Sequence, residues 1–417
     1  MPDGHAMRDL IFVSMEDWDE TWRRNQFVCA ELSRRNPELR ILFVGLPRNV
    51  SNELRHGRLR RLFRRATYSA SGAANVTATH PWKLLPNSLP LGRIINQWIF
   101  RRHVCGETRR LGFDRPVLWL NPHGAGHMAG RIGESAVIYD ITDDWTRIKQ
   151  RASVTRLVER QDAALCAMAD AVIVCSERLA DLKRPLSRHV HLIPNGVNAA
   201  HYAGVRDGAG SAPSTTATAS WKRPVLGYTG TVHPDRVDIE LVRAIALGWP
   251  GSLALIGPDH LRAGDVARLD LPNVHRLGPV PYAEVPDYMR AFDASIVPHR
   301  MTEFTESLNP IKLWEYLAGG KPIVSTDVAG FRDFPCLVRL ARTAGEFLAA
   351  AQAAVAESAT PEGDALAAQR RAVARDHSWG VRVDAIEQVI ADAVERRSKG
   401  TWQRSARPAT EDVAHAR

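Results

Sequence analysis

"SLNPIKLWEYLAGGKPIVST" (residues 307–326) contains the start of a helix, its end and an apolar strand in direct succession. Asn309 is a good helix N-cap, and Pro310 suits the first helical position, where its missing N–H costs nothing. The pair of glycines then ends the predicted helix, and Pro322 opens the strand that follows. A helix that leads straight into a short apolar strand is typical of α/β domains with parallel sheets.

Two opposite charges lie at the start of this predicted helix. Lys312 is in its first turn, and Glu315 is three residues later on the same face. The start of a helix attracts anions through its free N–H groups and its dipole, and Lys312 adds a full positive charge. A nucleoside diphosphate fits both residues, with the diphosphate at Lys312 and the ribose hydroxyls at Glu315. A surface ion pair worth about 0.2–0.5 kcal/mol is the alternative that these two residues leave open.

Short apolar runs alternate with helix-length segments along most of the chain. Runs of the first half that are predicted to be strands are 10–15, 40–45, 117–120, 136–140, 171–175 and 189–193. Those of the second half are 225–228, 253–256, 274–277, 294–297 and 322–325. This alternation predicts an α/β fold with two Rossmann-like, doubly wound parallel-sheet domains in series, which face each other across a cleft.

The change in composition in the middle of the chain gives the predicted domain boundaries. The 417 residues are too many for one core and suffice for two domains. Their predicted divisions are a first domain (1–202), a Gly/Ser/Thr-rich linker or surface loop (203–222), a second domain (223–377), a helix packing back on the first domain (378–397) and a frayed tail (398–417).

Composition and cysteine content favour a cytoplasmic protein. Hydrophobic residues make up 45% and charged residues 24%, which is ordinary for a globular protein. No apolar run approaches the roughly 18 residues that span a bilayer, and the run from Leu10 to Val13 is too short for a signal peptide. The five cysteines are odd in number and lack metal-ligand spacing, so we expect no metal site.

The net charge of +9 is concentrated in two segments. Residues 48–65 carry seven arginines against the single acid Glu53, and residues 93–103 mix arginines with isoleucine, tryptophan and phenylalanine. These segments predict peripheral contact with an anionic membrane at the inner face of the cell membrane, with a solvated basic face as the alternative. Nucleic acid is not expected, because no nucleic-acid motif accompanies the charge. The arginines expected to face the membrane are Arg55, Arg58, Arg60, Arg61, Arg64 and Arg65.

The segment "NPIKLWEYLAGGKPIVST" resembles the donor-nucleotide helix of GT-B fold glycosyltransferases of the family-four-like, group 1, polysaccharide-biosynthesis type. "PNGV" (194–197), "LGYTGT" (226–231) and residues 273–298 also follow in the order of that family. The resemblance implies a sugar transfer from a nucleoside-diphosphate sugar, with UDP or GDP as the expected carrier. It also implies a saccharide or lipid-linked acceptor, a role in envelope or exopolysaccharide biosynthesis, and no metal or other cofactor.

The resemblance also assigns donor-binding residues. These are Lys312, Glu315 and Asn309 at the helix, Gly230 and Thr231 in the loop of the first strand of the second domain, and Val280 and Tyr282 for the nucleobase. One position departs from the family. The first glutamate of its Glu-x7-Glu motif falls on Ser307, with Glu306 beside it, which leaves open whether the reaction retains or inverts configuration.

Candidates for the base that deprotonates the acceptor lie in the first domain. They are Asp140, Asp143 and Asp144, which end one predicted strand, and His127, which follows another along with His123. A helix-capping role for Asp143 or Asp144 and a loop histidine without a role are the alternatives. The Asp17-x-Asp19 pattern also spells the metal motif of GT-A enzymes, but those lack two Rossmann-like domains in series.

Two other functions are compatible with the sequence. A nucleotide-sugar 2-epimerase on the same fold would bind the same donor and would need no acceptor. A non-catalytic membrane-binding or anion-binding protein would have no affinity for the donor, and its binding through the arginine clusters would depend strongly on salt.

Overall fold

The structure, a computed structural model, describes residues 7–55, 67–87, 89–147, 150–206 and 217–400. Over these residues, the chain forms two α/β domains, one built on an eight-stranded sheet and the other on a six-stranded sheet. Both sheets are parallel apart from one antiparallel strand at the edge of the first. The predicted fold class is therefore confirmed.

The first sheet has the strand order β10-β9-β8-β7-β1-β2-β5-β4, and β3 and β6 form a separate parallel ribbon. Its strands and those of the ribbon are β1 (Asp9–Val13), β2 (Arg40–Val44), β3 (Arg48–Asn49), β4 (Thr67–Ser69), β5 (Val76–Thr79), β6 (Trp82–Lys83), β7 (Val117–Leu120), β8 (Ala136–Ile141), β9 (Ala171–Val174) and β10 (Val190–Leu192). The described helices of this part are α1 (Arg24–Arg35), α2 (Val50–Arg55), α3 (Pro90–Arg110), α4 (Ala152–Met168) and α5 (Glu177–Lys183).

The second sheet has the strand order β13-β12-β11-β14-β15-β16, all parallel. Its strands are β11 (Leu226–Thr229), β12 (Leu253–Ile256), β13 (Val274–Gly278), β14 (Ala294–Val297), β15 (Ile323–Thr326) and β16 (Arg339–Ala341). The helices that follow in the chain are α6 (Ile239–Gly248), α7 (Ala263–Arg268), α8 (Val285–Arg290), α9 (Ile311–Gly319), α10 (Ala344–Glu357), α11 (Pro361–Asp376) and α12 (Trp379–Ser398).

Each sheet is buried on both faces because side chains of a strand alternate between them. In β1, Leu10 and Phe12 pack into one core, whereas Ile11 and Val13 pack into the other. The apolar runs of the sequence identify these central strands to within one or two residues. They do not reveal the short edge strands, such as β4, which hold too few apolar residues to form a run.

Helix α12 returns to the first domain and belongs to its core. Its apolar residues recur every three or four positions and pack against the first sheet and α1. Ser378 caps the helix start by accepting a hydrogen bond from the Val381 N–H. Arg397 fixes the far end by contacting Asp170 at 2.8 Å and Glu134 at 3.0 Å.

The chain crosses between the domains at two adjacent places. The N–H of Val197 donates to the His377 carbonyl at 3.1 Å, and the N–H of Trp379 donates to the Val197 carbonyl at the same distance. Gly196 suits this close approach, because a Cβ atom at this position would lie 3.0 Å from the Trp379 nitrogen, closer than most such contacts. The two crossings therefore run side by side and fix one edge of the interdomain cleft.

The order of the strands decides which loops face the cleft. Ligands of doubly wound sheets bind where neighbouring strands have connections that run in opposite directions. In the first sheet this point lies between β1 and β7, and in the second sheet it lies between β11 and β14. The loops after these four strands all line the cavity between the domains.

Two helices of the structure have 20 residues or more. Helix α3 has 21 residues and α12 has 20. Among the helices that the structure describes, none combines the length and the apolarity that crossing a bilayer demands.

Asp140 is buried in an ion pair, which corrects its prediction as a catalytic residue. Its two carboxylate oxygens accept from Nε and Nη2 of Arg24 at 3.1 and 3.2 Å. Both side chains are at most 3% exposed. The guanidinium also donates to the side chain of Asn195 at 3.1 Å, next to the first domain crossing. Asp140 is thus held by Arg24 and has no access to a substrate.

We expect Asp140→Asn to destabilise the first domain by about 3–5 kcal/mol, because it leaves the buried Arg24 without its counter-charge. Urea denaturation measures this loss. The control is Asp181→Asn, which removes the carboxylate of an exposed ion pair with Arg184 and should change stability by less than about 0.5 kcal/mol. A loss below about 1 kcal/mol for Asp140→Asn would contradict the structural role of this pair.

Candidate active site

A cavity of about 770 Å³ lies between the two domains. The first domain contributes the loops after β1, β7 and β8. The second domain contributes the loops after β11 and β14 and the start of α9. Clefts of this size at the carboxyl ends of parallel strands are the usual ligand sites of such folds.

Lys312 projects into this cavity from the first turn of α9. Its Nζ donates to the hydroxyl of Tyr228 at 2.6 Å and lies 3.4 Å from Nε2 of His299. Burial, together with the nearby charge of Arg236, lowers the pKa of the Lys312 ammonium to about 7, and Glu315 opposes this shift. The contacts at its Nζ are thus with a hydroxyl and an imidazole, which leave room for an anion.

Gly230 lets the lysine lie directly over the loop after β11. Its φ of +127° is a conformation that side chains with a Cβ rarely adopt, and a Cβ there would be 2.9 Å from the Lys312 Nζ. Gly257 packs against the same turn, because its own Cβ would lie 2.3 Å from the Gly230 carbonyl oxygen. Gly227 has a different role, since its missing Cβ makes space for the Phe292 ring.

Glu315 lines the same cavity one turn further along α9. Its Oε1 accepts a hydrogen bond from the Tyr202 hydroxyl at 2.8 Å, and burial raises the pKa of the Glu315 carboxyl. Tyr202 is fully buried in the short helical turn Ala199–Tyr202, just after the first domain crossing. This tyrosine holds the carboxylate in place. The sequence does not predict the contact, because the two residues lie 113 positions apart.

Asn309 does not cap α9, which corrects its predicted role. The helix begins at Ile311 with Pro310 at the N-cap position and no side-chain cap. Asn309 instead accepts the Asn195 N–H at its Oδ1 at 2.9 Å. Its side chain therefore joins the two domains beside the cavity, while the helix N–H groups remain available. The helix end is as predicted, with Gly320 in the left-handed region at a φ of 70°.

The other predicted donor residues divide into two groups. Thr231 lines the cavity, and its carbonyl accepts the Tyr228 hydroxyl at 3.1 Å. Val280 packs against the apolar core of the second domain. The N–H of Tyr282 donates to the Glu20 carbonyl at 3.1 Å, and its ring stacks on His201 at 4.2 Å. Val280 and Tyr282 are thus engaged in packing outside the described lining of the cavity.

Of the predicted catalytic residues, the structure brings one into the cavity. Asp143 lines it, Arg236 of the second domain lies 3.6 Å away, and burial raises the pKa of the Asp143 carboxyl. Asp144 is 3% exposed and accepts the N–H of Thr146 at 3.1 Å, so it shapes the loop. Both aspartates follow β8, but they point in different directions.

The two predicted histidines lie away from the cavity lining. His127 is in the helical turn His123–Met128, with Nδ1 3.0 Å from the Gly124 carbonyl and its ring edge-on to Phe100. Burial lowers the pKa of His127 and that of His123. Both therefore favour the neutral form within the packing of the first domain.

Glu306 and Ser307, which precede α9, do not supply a carboxylate to the cavity. Glu306 forms two hydrogen bonds of 2.8 Å with Arg332. Ser307 is 1% exposed, and its hydroxyl donates to the Phe304 carbonyl at 2.7 Å. The Glu-x7-Glu pattern therefore lacks its first glutamate at position 307, and the neighbouring Glu306 does not replace it in the cavity.

The Asp17-x-Asp19 pattern is used for local structure. Asp17 accepts the Leu46 N–H at 2.8 Å and lies 3.3 Å from His80, while Asp19 accepts the Thr21 N–H at 2.9 Å. In the part of the chain that the structure describes, no group of three histidine, cysteine or acidic residues is arranged to hold a metal ion.

Several cavity residues are not revealed by the sequence motifs. They are Glu16 and Arg23 after β1, Arg236 after β11 and His299 after β14. Burial is the main cause that raises the pKa of Glu16 to about 7. The sequence feature that could have identified them is their position after a strand, at a point where the strand order reverses.

Comparison with known proteins identifies the second domain. Residues 223–360 match the family model of the glycosyl transferases group 1. TuaH of Bacillus subtilis (strain 168), whose name describes a glycosyltransferase of teichuronic acid biosynthesis, is 30% identical over 229 residues. That alignment covers 52% of this chain and 56% of TuaH, so the chain spans little more than half of this curated relative.

Solved structures match over almost the whole chain. Sucrose-phosphate synthase from Thermosynechococcus elongatus has a TM-score of 0.68 at 16% identity, covering 95% of this chain and 100% of its own. HepE of Anabaena, in complex with UDP and glucose, has a TM-score of 0.64 at 15% identity, covering 94% and 100%. These likenesses, at low identity, establish the fold. The chain therefore has the GT-B fold, and its second domain is a glycosyl transferases group 1 domain.

Proposed function

We propose that this protein is a glycosyltransferase that moves a sugar from a nucleoside-diphosphate sugar to a saccharide or lipid-linked acceptor. Envelope or exported polysaccharide assembly is the proposed setting. The observation that carries this proposal is the position of Lys312, with its ammonium at the start of α9, over Gly230 and inside the cavity. The name of TuaH and the UDP bound by HepE support the same reading.

The proposed diphosphate site combines three sources of positive potential. The N–H groups at the start of α9 have no side-chain cap, the helix dipole points its positive end at the cavity, and Lys312 adds a charge. Negative charge grows on the diphosphate as the bond to the sugar breaks. Groups that are fixed in place before the reaction stabilise that charge at no cost of rearrangement. In the proposed reaction, Lys312 and the helix start thus stabilise the leaving group.

Glu315 is proposed to bind the two ribose hydroxyls. The Tyr202 hydroxyl donates to one carboxylate oxygen, which fixes the orientation of the side chain. The remaining lone pairs of the carboxylate can accept from hydroxyl groups. A diphosphate at Lys312 and a ribose at Glu315 lie along one face of α9, since the two residues are three positions apart.

The first domain is proposed to hold the acceptor. Its loops after β1 and β8 face the donor site across the cavity, and two ion pairs join the domains at this edge. Arg147 contacts Glu303 at 3.2 Å, and Arg236 contacts Asp143 at 3.6 Å. We assign Asp143 to the binding of acceptor hydroxyls, because its carboxylate lies in the cavity and faces a charge of the second domain.

An exposed apolar ridge favours a peripheral position at the inner face of the cell membrane. The ridge consists of Leu84, Leu85, Leu89, Leu91, Ile94 and Trp98, which are between 38% and 67% exposed. Asn96 ties the loop to α3, because its side chain accepts from the N–H groups of Leu84 and Leu85. Large exposed apolar patches commonly mark sites of membrane or protein contact.

Basic residues border this ridge and make anionic lipid the proposed partner. Arg93, Arg101 and Arg102 lie on α3, and the guanidinium of Arg102 lies 5.6 Å from the Trp98 ring centre. Arg55 is exposed at the end of α2, whereas Arg58, Arg60, Arg61, Arg64 and Arg65 lie outside the described residues. Apolar side chains bordered by arginine are the composition of interfacial membrane helices.

Lys312→Ala tests the donor site. A nucleoside diphosphate at about 100 times its dissociation constant stabilises a protein by about 2.7 kcal/mol. Thermal shifts measured with UDP, GDP, ADP, TDP and CDP therefore identify the nucleobase that the site prefers. Removing a charge-assisted hydrogen bond should then weaken binding of that nucleotide by about tenfold to a hundredfold. Lys222→Ala is the control, since Lys222 is exposed and outside the cavity. Equal affinity in both variants would contradict the assignment of Lys312.

The same site predicts a pH dependence of nucleotide binding. The pKa of Lys312 near 7 means that the free protein loses this positive charge as the pH rises. Affinity should therefore fall about tenfold between pH 7 and pH 8.5, where the diphosphate keeps its charge. Of the neighbouring groups, His299 and Tyr228 stay neutral, because burial lowers the pKa of the first and raises that of the second.

Calorimetric titrations across this pH range measure the effect. Lys312→Arg should remove the fall, because a guanidinium stays charged throughout. A fall that persists in Lys312→Arg would assign the titration to another group, such as Glu315, and would contradict this prediction.

The apolar ridge predicts binding to anionic vesicles. Wild-type protein should sediment with vesicles of phosphatidylglycerol and phosphatidylcholine, and less so at high salt. Leu91→Ser, Ile94→Ser and Trp98→Ser together should weaken this binding by about tenfold or more, since each side chain buries apolar area. The control is Leu247→Ser with Val381→Ser, which are 64% and 46% exposed elsewhere. Equal sedimentation of both variants would contradict the proposed surface.

A further inference from the structure

The ammonium of Lys312 is held by two side chains of the second domain. Its Nζ donates to the Tyr228 hydroxyl at 2.6 Å and lies 3.4 Å from the His299 Nε2. The same Nζ lies 4.1 Å from the centre of the Tyr228 ring, a distance typical of cation–π contacts. Tyr228 lies in β11, and His299 follows β14. The lysine is thus held between the two strands where the strand order of the second sheet reverses.

The hydroxyl of Tyr228 connects this lysine to the loop after β11. A tyrosine hydroxyl has one hydrogen to donate and lone pairs to accept with, whereas a carbonyl can only accept and an ammonium can only donate. The hydroxyl donates to the Thr231 carbonyl at 3.1 Å, so its lone pairs are left to face the Lys312 ammonium. One hydroxyl therefore fixes both the lysine and the loop beside Gly230.

Tyr228 is itself fixed by its surroundings. It is fully buried, and its ring packs in an apolar core of the second domain. The next residue, Thr229, donates its N–H to the hydroxyl of Tyr316, which lies on α9, at 2.7 Å. Strand β11 and helix α9 are thus joined by two hydrogen bonds, one of which comes from Lys312. Side chains held by rigid elements keep a binding group in one geometry.

The groups that hold the ammonium are uncharged. Burial raises the pKa of Tyr228, and burial, the ammonium and Arg236 lower the pKa of His299 well below its ordinary value. The Glu315 carboxylate accepts from the Tyr202 hydroxyl at 2.8 Å. An adjacent carboxylate would satisfy the lysine within the protein, whereas neutral partners leave its charge to attract an anion.

We propose that Tyr228 and His299 are positioning residues for Lys312, an inference that rests on the proposed function. They hold the ammonium over the loop after β11, where the diphosphate is proposed to bind, and they leave its charge uncompensated. An ammonium has more N–H groups than these two side chains accept, so one remains for a phosphate oxygen. The two residues thus act on the leaving group through the lysine and do not contact the transferred sugar.

The first test compares Tyr228→Phe with Tyr139→Phe by calorimetric titration with UDP, GDP, ADP, TDP and CDP. Tyr139 is the matched control, because it is a buried tyrosine of the first domain whose hydroxyl donates to Asp162 at 2.7 Å. Loss of the Tyr228 hydroxyl should weaken binding of the preferred nucleotide at pH 7 by about threefold to tenfold. Tyr139→Phe should bind it as the wild type does.

Two readouts separate positioning of the lysine from a merely structural role of Tyr228. In the Lys312→Ala background, Tyr228→Phe should weaken binding by less than about twofold more, since the lysine that it positions is gone. The hydroxyl favours the charged form of the lysine, and Arg236 and Glu315 are unchanged in the variant. The fall in affinity at alkaline pH should therefore move to lower pH by about half a unit to one unit in Tyr228→Phe.

His299→Asp tests the need for an uncharged neighbour. A carboxylate beside the ammonium should raise the pKa of Lys312, so that affinity no longer falls between about pH 7 and pH 8.5. The affinity at pH 7 should nevertheless be lower by about tenfold or more, because the added negative charge repels the diphosphate. Thermal denaturation shows whether this variant folds, and Tyr228→Phe tests the proposal independently of it.

Several outcomes would overturn the proposal. They are equal affinities of Tyr228→Phe and Tyr139→Phe, an alkaline fall that does not move, a full further loss in the Lys312→Ala background, and wild-type affinity in folded His299→Asp. A wild-type protein that binds none of the nucleoside diphosphates would instead contradict the proposed function itself, and this inference with it.

Discussion

The partly buried ammonium of Lys312 is the constraint around which the cleft is organised. Its contacts within the described structure are the Tyr228 hydroxyl, the Tyr228 ring and the His299 imidazole, none of which carries a negative charge. Removing a cation from water without a counter-charge is unfavourable, which is why the pKa of this lysine is lowered to about 7. A diphosphate bound as proposed would supply a negative charge at this position. Gly230 and the uncapped start of α9 then become parts of the same anion site.

Polar contacts join the two domains beside this site, and the Tyr282 ring packs on Trp22 and Phe27 of the first domain. Asp140 holds Arg24, Arg24 contacts Asn195, and Asn195 bonds to Asn309 at the entrance of α9. This series connects the first sheet to α9. Because the two chain crossings lie next to it, the series sets how the cavity loops of the first domain face those of the second.

The sequence predicts much of the fold but only a small part of the cavity lining, because local pattern does not report contacts between distant residues. Alternating apolar runs report burial of single strands, so the central strands and the start of the donor helix are predictable from local pattern. Lys312, Glu315, Gly230 and Thr231 follow from that helix and its neighbouring loop. The motif at Asn309 was misleading, because a good N-cap residue is used here for a contact between domains.

Long-range contacts explain what local pattern could not predict. Asp140 and Asp143 lie at the end of the same strand, and the local sequence does not distinguish their roles. The ion pair of Asp140 with Arg24, 116 positions away, shows that Asp140 stabilises the fold. The local sequence of Glu16 is that of an ordinary loop. Its loop is fixed by Asn121, which follows β7, the strand that pairs with β1. Tyr202 likewise acquires its role only when the second domain brings Glu315 to it.

A crystal structure with the bound nucleoside diphosphate tests the central claim most directly. The account predicts diphosphate oxygens within hydrogen-bond distance of the Lys312 Nζ and of the backbone N–H groups at the start of α9, with the ribose hydroxyls at Glu315. A diphosphate bound elsewhere in the cavity, with Lys312 still turned to Tyr228 and the helix start unoccupied, would contradict it.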